Sequence, residues 1–469
     1  MHPLTQAKSN FSALELKCQV GIRFKTESLG NHKLLEVMPR REYEFVLPSP
    51  RRTFAMCGVI AMFASGFSIA GDTDLTIRGF GTLGAVHSSS NQSDFVRDLS
   101  QPDGARGSWS PSVDSVVGLQ ASYRINSSLG GLAQAISRYR YDGSYTPEVS
   151  LAFLKYDTTP NISVRLGRIG TEFYMFADSR WVGYSSLMVR PPIEYYGGLP
   201  FYSFDGADVT FSLVTNKGVL KAKGFVGFTG AELRVGGTKE NEASTWNLSN
   251  SPMFGGYLDY TQGAWQFRST YTKVQFSDQI PSATLQHGLR QASLFTGDLR
   301  PASAADALIV KNRSVQYYSA GVVYEDGSLQ AQLMLSRAVN QSAAFENADS
   351  AYGMLGYRFS SLTPYLGYST ARSKPKKIET GLTDYYANPI YGDGFRALNA
   401  GFNNALDGSH ISQSTTFAGL RWDFRTNAAI KLQFDSVRGS HDSNQLVQRE
   451  SPLWNGKTNL VSMTLDFVF

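Results

Sequence analysis

The chain has 469 residues, long enough for two or three ordinary domains, yet no Pro/Ser linker or charge block divides it after position 70. Its mean hydropathy of -0.23 and the lack of any charge-free apolar run of about eighteen residues beyond the N-terminal region exclude helical membrane spans. Forty-four Lys and Arg stand against 39 Asp and Glu, too even a balance for the concentrated basic surface that nucleic acid requires.

Arg51 and Arg52 precede an apolar run from Phe54 to Ala64, and Ser68 and Ala70 place small residues three and one positions before Gly71. Basic start, apolar middle and small-residue end are the parts of a secretory signal peptide. The expected organisation is therefore an upstream extension of the leader over 1–37, a signal peptide over 38–70 and a mature chain over 71–469. Both cysteines, Cys18 and Cys57, fall in the leader, so the mature chain offers no disulfide, thiolate metal site or cysteine nucleophile. Nine of the 44 basic and five of the 39 acidic residues precede Gly71, which leaves 35 against 34 in the remainder.

The mature chain reads as strands in hairpins. The first strand is expected over Asp74 to His87. Short polar connections follow at Asn126 to Ser128, Thr158 to Asn161, Thr215 to Gly218, Thr261 to Ala264, Glu325 to Ser328, Ser360 to Leu362 and Arg425 to Ala428, each between alternating runs. Longer polar connections alternate with them: Ser88 to Ser112, Arg234 to Leu248, Asp278 to Asn312, Lys374 to Ser412 and His441 to Lys457. The last strand, Thr458 to Phe469, sets Val461, Met463, Leu465, Phe467 and Phe469 on one parity and Ser462, Thr464 and Asp466 on the other. About sixteen strands with short turns on one side and long loops on the other describe an all-β, transmembrane antiparallel barrel.

Strand parity sorts the charges. Arg78, Arg124, Arg138, Arg140, Arg165, Lys221, Lys223, Arg268, Arg421 and Lys431 fall on the polar face, expected to line a water-filled lumen, with fewer acids, Asp423, Asp435 and Asp466. Parity is ambiguous in Glu148 to Tyr156 and in Pro364 to Arg372. After Ile162 to Gly170 the chain runs from Thr171 to Gly206 without a quick turn, through ten aromatic residues from Phe173 to Phe204. So many rings are poorly placed in water, so this segment is expected to fold inward against the wall.

With these features the chain resembles the general porins of Gram-negative outer membranes. The resemblance rests on the leader, the strand number, the long third loop directly after Val164-Arg165-Leu166-Gly167-Arg168-Ile169-Gly170, and the terminal Phe469. It implies an outer-membrane channel whose inward-folded third extracellular loop sets acids against wall arginines at a constriction. By that resemblance Arg168 faces the pore, reconciled with Arg165 by a bulge at Gly167, and the loop acids are Glu172, Asp178, Glu194 and Asp205. Outer-membrane lipid, lipopolysaccharide and the barrel-assembly machinery, engaged through Phe469, are the implied partners. A homotrimer stays open, because the second loop, Asp142 to Pro147, is too short for the reach over a neighbour that many members use.

No cofactor is expected. The histidines, His2, His32, His87, His287, His410 and His441, have no metal-ligand spacing, and Tyr391-Gly392-Asp393-Gly394 reads as a Gly-rich loop before a calcium turn. A barrel hydrolase built on His410 or His441 lacks any Gly-x-Ser-x-Gly motif. The loop aromatics allow two readings, an anchor for the constriction or a track for sugar or aromatic solutes. The surplus of inward cations points to a mild anion preference.

Overall fold

The computed structural model describes residues 74–235, 244–440, 443, 447–449 and 454–469; the leader with its cleavage site, and His441, lie outside the described residues. Sixteen long strands make the wall: β1 (Leu75–Ser88), β2 (Val116–Arg124), β3 (Leu129–Arg138), β4 (Glu148–Thr159), β5 (Ile162–Gly170), β6 (Ser203–Val214), β7 (Val219–Thr229), β8 (Ser251–Gln262), β9 (Trp265–Gln275), β10 (Ser314–Glu325), β11 (Leu329–Asn340), β12 (Asn347–Tyr357), β13 (Leu362–Lys374), β14 (Ser412–Arg425), β15 (Ala428–Gly439) and β16 (Lys457–Val468). Each pairs antiparallel with its neighbours in chain order, and β16 returns to β1 in a register from Phe80 opposite Val468 to Ser88 opposite Leu460. Closure leaves no unpaired edge to face hydrocarbon. All seven expected turns join consecutive strands, because Asn, Gly, Ser and Asp there accept the tight reversal that the flanking alternation demands.

The terminal residue takes part in the seam. Phe469 exchanges backbone hydrogen bonds of 2.8 and 3.0 Å with Gly79, and its ring lies where a Cβ on Gly79 would be 2.1 Å from Cζ. Only glycine leaves room for it. Deleting Phe469 should remove two seam bonds, together worth about 1–3 kcal/mol, and lower the fraction of folded barrel recovered from outer membranes. Undiminished recovery of the heat-modifiable folded form on gels would show that the seam closes without it.

The outer face carries the apolar set. On β15 Leu432 and Phe434 are exposed while Lys431, Gln433 and Asp435 are buried; on β16 Val461 and Met463 are exposed while Ser462, Thr464 and Asp466 are buried. Leu166, Val226, Leu258, Leu333 and Leu366 continue this outward band around the wall. Among the described residues no helix is long and apolar enough to cross a membrane. A closed barrel with an apolar girdle crosses with strands and belongs in a bacterial outer membrane.

The inner face differs from the uniformly wet surface that alternation predicts. Phe204, Phe225, Tyr317, Met334, Tyr352, Tyr365 and Phe417 are buried on it, in one apolar cluster with the connection after β5. Protein rather than water covers that wall, which explains the ambiguous parity of Pro364 to Arg372: Tyr365 and Leu366 are both apolar, one inward and one outward. In Glu148 to Tyr156 the cause is a bulge, for Gln134 opposes Leu151 while Ala135 opposes Val149.

The long connections have structure of their own. A hairpin, Glu232–Val235 with Ser244–Asn247, lies between β7 and β8. Helices α1 (Ala283–Thr296) and α2 (Arg300–Ala307) lie between β9 and β10, and α3 (Gly392–Asp407) between β13 and β14. The Gly-rich stretch at Tyr391 to Gly394 thus opens a helix instead of remaining a loop. Leu289, Ala304, Phe402 and Leu406 of these helices are buried in the same cluster as the inner wall. These connections therefore pack on the barrel, as amphipathic segments must to cover an apolar side.

Candidate functional site

The connection from Thr171 to Tyr202 organises the interior. Its ends are tied together, since the Thr171 amide donates to the Tyr202 carbonyl at 3.0 Å and its hydroxyl to the Phe201 carbonyl at 2.9 Å. The strand β6 begins at Ser203, three residues before the expected loop end at Gly206.

Glu172 meets the near wall at once. Lys223 Nζ lies 2.5 Å from its carboxylate, Arg165 Nη2 3.2 Å and Arg268 Nη1 3.7 Å. Burial opposes ionisation of Glu172, but Lys223, Arg165 and Arg268 outweigh it and hold its carboxyl below the usual range. A lowered value means that the tie is complete at neutral pH and is lost as pH falls through it. The cations are matched in turn: Arg165 Nε donates to Asp208 at 3.0 Å, and Arg268 Nε to Asp259 at 2.9 Å while stacking over Tyr257 at 4.1 Å. Asp178 lies beside Gly170, and burial together with neighbouring Glu172 pushes its carboxyl up, though the side chain keeps contact with water.

The segment then crosses to the far wall. Lys431 Nζ donates to the carbonyls of Gly183 at 2.7 Å and Met188 at 3.1 Å, and pairs with Asp466 at 3.0 Å. Gly183 sits so close to Asp466 and Thr82 that a Cβ would be 2.1 and 2.3 Å from their oxygens. Arg190, 2 % exposed, bonds Asp114 at 2.6 Å, Asp435 at 3.1 Å and the Ser462 hydroxyl at 2.6 Å. Arg421 donates to the carbonyls of Tyr184 at 2.8 Å and Ser186 at 2.9 Å. The far wall therefore binds this loop through the polar residues that alternation places inward.

The loop aromatics meet the wall. Phe173 contacts Tyr317 with ring centroids 5.2 Å apart, and Tyr195 contacts Tyr352 at 5.2 Å. Near the loop base, Arg138 stacks on Trp181 at 4.8 Å and Tyr202 at 4.4 Å, while Arg97 covers Trp181 at 4.5 Å. Such contacts each add about 0.5–2 kcal/mol. The anchoring reading accounts for Phe173 and Trp181.

The predicted site residues separate into groups. Arg165, Lys223 and Glu172 come together, with Asp178 beside them. Arg138 is buried on Glu148 at 3.0 Å and supports the loop base. Lys221 is exposed on the inner face, opposite Asp259 and Ser212 in register. Four placements are corrected. Arg168 keeps the parity of outward Leu166 and forms a pair of 2.8 Å with Asp205, its register partner; both lie on the outer face, since β5 stays in register through Gly167. Asp205 is a strand residue and not a loop acid. Arg140 lies beyond the end of β3, 3.9 Å from Glu148 and from Glu232 at the rim. Arg124 is not one of the four, since it shares the inner-face parity of Gln120 and is exposed at the short-turn end of β2. Glu194 forms no ion pair with an arginine among the described residues: it accepts from Ser369 at 2.5 Å, Gln413 at 2.7 Å and Thr415.

Asp208 and Asp259 are the residues that sequence reasoning missed. Their signal was present, because Asp208, Thr210 and Ser212 oppose Val209, Phe211 and Leu213 in simple alternation. Arg190 and Asp114 had no such signal, being loop and pre-strand residues whose pairing is purely tertiary. His410 Nδ1 lies 2.8 Å from Glu346 and 3.3 Å from the Ser373 hydroxyl. Acid and hydroxyl share one ring nitrogen, whereas a nucleophilic relay uses the two opposite nitrogens.

No family model matches the chain, and no curated protein is similar to it. Solved structures do match. The outer membrane channel DcaP of Acinetobacter baumannii aligns over 86% of this chain and 99% of its own at 12% identity, with a TM-score of 0.51. The anion-selective porin from Comamonas acidovorans covers 85% of this chain and 100% of its own at 11% identity and a TM-score of 0.48. OmpF of Salmonella typhi, in complex with daunomycin, covers 85% and 98% at 12% identity and 0.48. At these identities the DcaP likeness establishes the barrel fold alone.

Proposed function

We propose that the chain forms a passive outer-membrane channel for small hydrophilic solutes, narrowed where Glu172 and Asp178 of the loop meet Arg165, Lys223 and Arg268 of the wall. The observation that carries this reading is a loop tied by ion pairs to two walls of a closed barrel, which narrows the lumen and leaves fixed charges of both signs beside it. Fixed charges in a narrow low-dielectric passage act on ions more strongly than in bulk water. The acids Asp208, Asp259 and Glu172 balance the nearby cations, so the mild anion preference falls to Arg78, Arg124 and Lys221, exposed on the inner face toward the short turns. The fused positions of acid and hydroxyl on His410 speak against a hydrolase.

Planar-bilayer recording of the folded protein under a tenfold salt gradient tests this. Stepwise conductance with a reversal potential slightly on the anion side is expected. Strong cation preference would overturn the selectivity, and absence of conductance the channel. A second reading, a solute-specific channel, is favoured by one observation: a cavity on the inner face is lined by Tyr174, Tyr195, Phe201 and Tyr317.

A further inference from the structure

That cavity has a volume of about 120 Å3 and lies between the loop, strands β10 to β12 and the hairpin after β7. One water needs about 10–15 Å3, so a small solute has room. Its aromatic walls are held in fixed mutual contacts, with Tyr174 and Tyr195 at 4.7 Å and Trp246 stacked on Phe345 at 5.6 Å. Two carboxylates line it, Glu194 and a Glu346 already bonded to His410 at 2.8 Å and to the Ser373 hydroxyl, and no Lys or Arg does among the described residues.

Glu194 is 3 % exposed, and every side chain that donates to it is uncharged: Ser369, Gln413 and Thr415. It forms no ion pair among the described residues, and Arg190, the cation that lines a neighbouring small cavity with it, is already taken up by Asp114 and Asp435. Trp246 is 4 % exposed, and its indole Nε1 has no hydrogen-bond partner among the described residues. A buried donor left unmade costs about 1–3 kcal/mol, which a ligand oxygen would recover.

We propose that this cavity binds a small organic cation bearing an oxygen, about the size of choline. Ring faces attract the cationic head through their quadrupoles, Glu194 supplies the countercharge, and Trp246 donates to the oxygen. A lining with the Glu194 carboxylate and without Lys or Arg among the described residues disfavours an anion. The proposal rests on the solute-specific reading of the channel, in which a bound cation retards passage through the upper lumen.

Titration calorimetry on the detergent-folded chain tests it with choline, its neutral isostere 3,3-dimethylbutan-1-ol, and 3,3-dimethylbutanoate. Choline should bind at least tenfold tighter than the alcohol, and the carboxylate not at all. Glu194→Gln, which keeps the shape and an acceptor oxygen, should abolish that tenfold preference; Trp246→Phe should weaken choline but not tetramethylammonium. If either variant fails to fold, the three ligands on the parent protein decide alone. Equal affinity for choline and the alcohol, or tighter binding of the carboxylate, overturns the proposal. Choline binding without bilayer conductance would remove the channel and leave this site standing; conductance without choline binding would do the reverse.

Discussion

Replacing Arg190 by alanine should loosen the loop on the far wall, where Lys431 and Arg421 still hold it, and lower stability by about 3–5 kcal/mol, the usual cost of removing one partner from a buried ion pair. Asp114 and Asp435 would then remain as buried carboxylates, with Arg97, 3.4 Å from Asp114, as the cation still paired to one of them among the described residues. The loss cannot be confined to one bond, because Arg190 also holds the Ser462 hydroxyl. Denaturant unfolding of the purified barrel measures the stability change, and single-channel recording should show a larger, noisier conductance once the loop moves. Arg140→Ala provides the comparison. That residue lies at the rim, partly exposed and 3.9 Å from its acids, and loose pairs near the surface contribute about 0–1 kcal/mol. Equal effects of the two substitutions would mean that Lys431, Arg421 and apolar packing hold the loop without Arg190.

Arg165→Glu should shift ion selectivity toward cations about fivefold, near 1 kcal/mol on the affinity scale, while Arg168→Glu leaves selectivity unchanged. Both arginines belong to the same short motif, and only their faces differ. Arg165 touches Glu172 and Asp208 on the inner side; Arg168 pairs with Asp205 on the outer side. A reversed charge at the proposed narrowing would act on every passing ion, whereas one beyond the wall is separated from them by the sheet. Arg425→Glu, at a short turn, should have an intermediate effect. Reversal potentials under one salt gradient measure all three variants. A shift from Arg168→Glu as large as that from Arg165→Glu would place the narrowing elsewhere. Arg165→Gln guards against misfolding, since it removes the cation without adding a carboxylate beside Asp208.

Much of the barrel was legible in the chain because its information is local. A period of two in β15 and β16, and turn residues at Asn126 to Ser128 or Thr215 to Gly218, need only neighbours a few positions away to act. Strand number, direction and the closing pair of first and last strands follow from them. Legibility ended wherever the inner face met protein instead of water. There Tyr317, Tyr352 and Phe417 are as apolar as the lipid side, so alternation carries no sign of which face is which. The fate of Arg168 shows the limit of motif likeness: a run similar to a constriction motif kept plain parity, because an outward Asp205 in the next strand satisfied its charge.

Local alternation and turn chemistry in this chain therefore determined a closed barrel of about sixteen strands, an apolar girdle, and an aromatic loop that could not remain in water. Tertiary structure alone decided which wall that loop reaches and which charges meet. Arg190 finds Asp114, Asp435 and Ser462 across separations in sequence of 76, 245 and 272 residues, and no periodicity reports on such distances. Burial made those choices binding, since a charge removed from water must have a partner in the fold, and only the closed barrel determines which partners lie within reach.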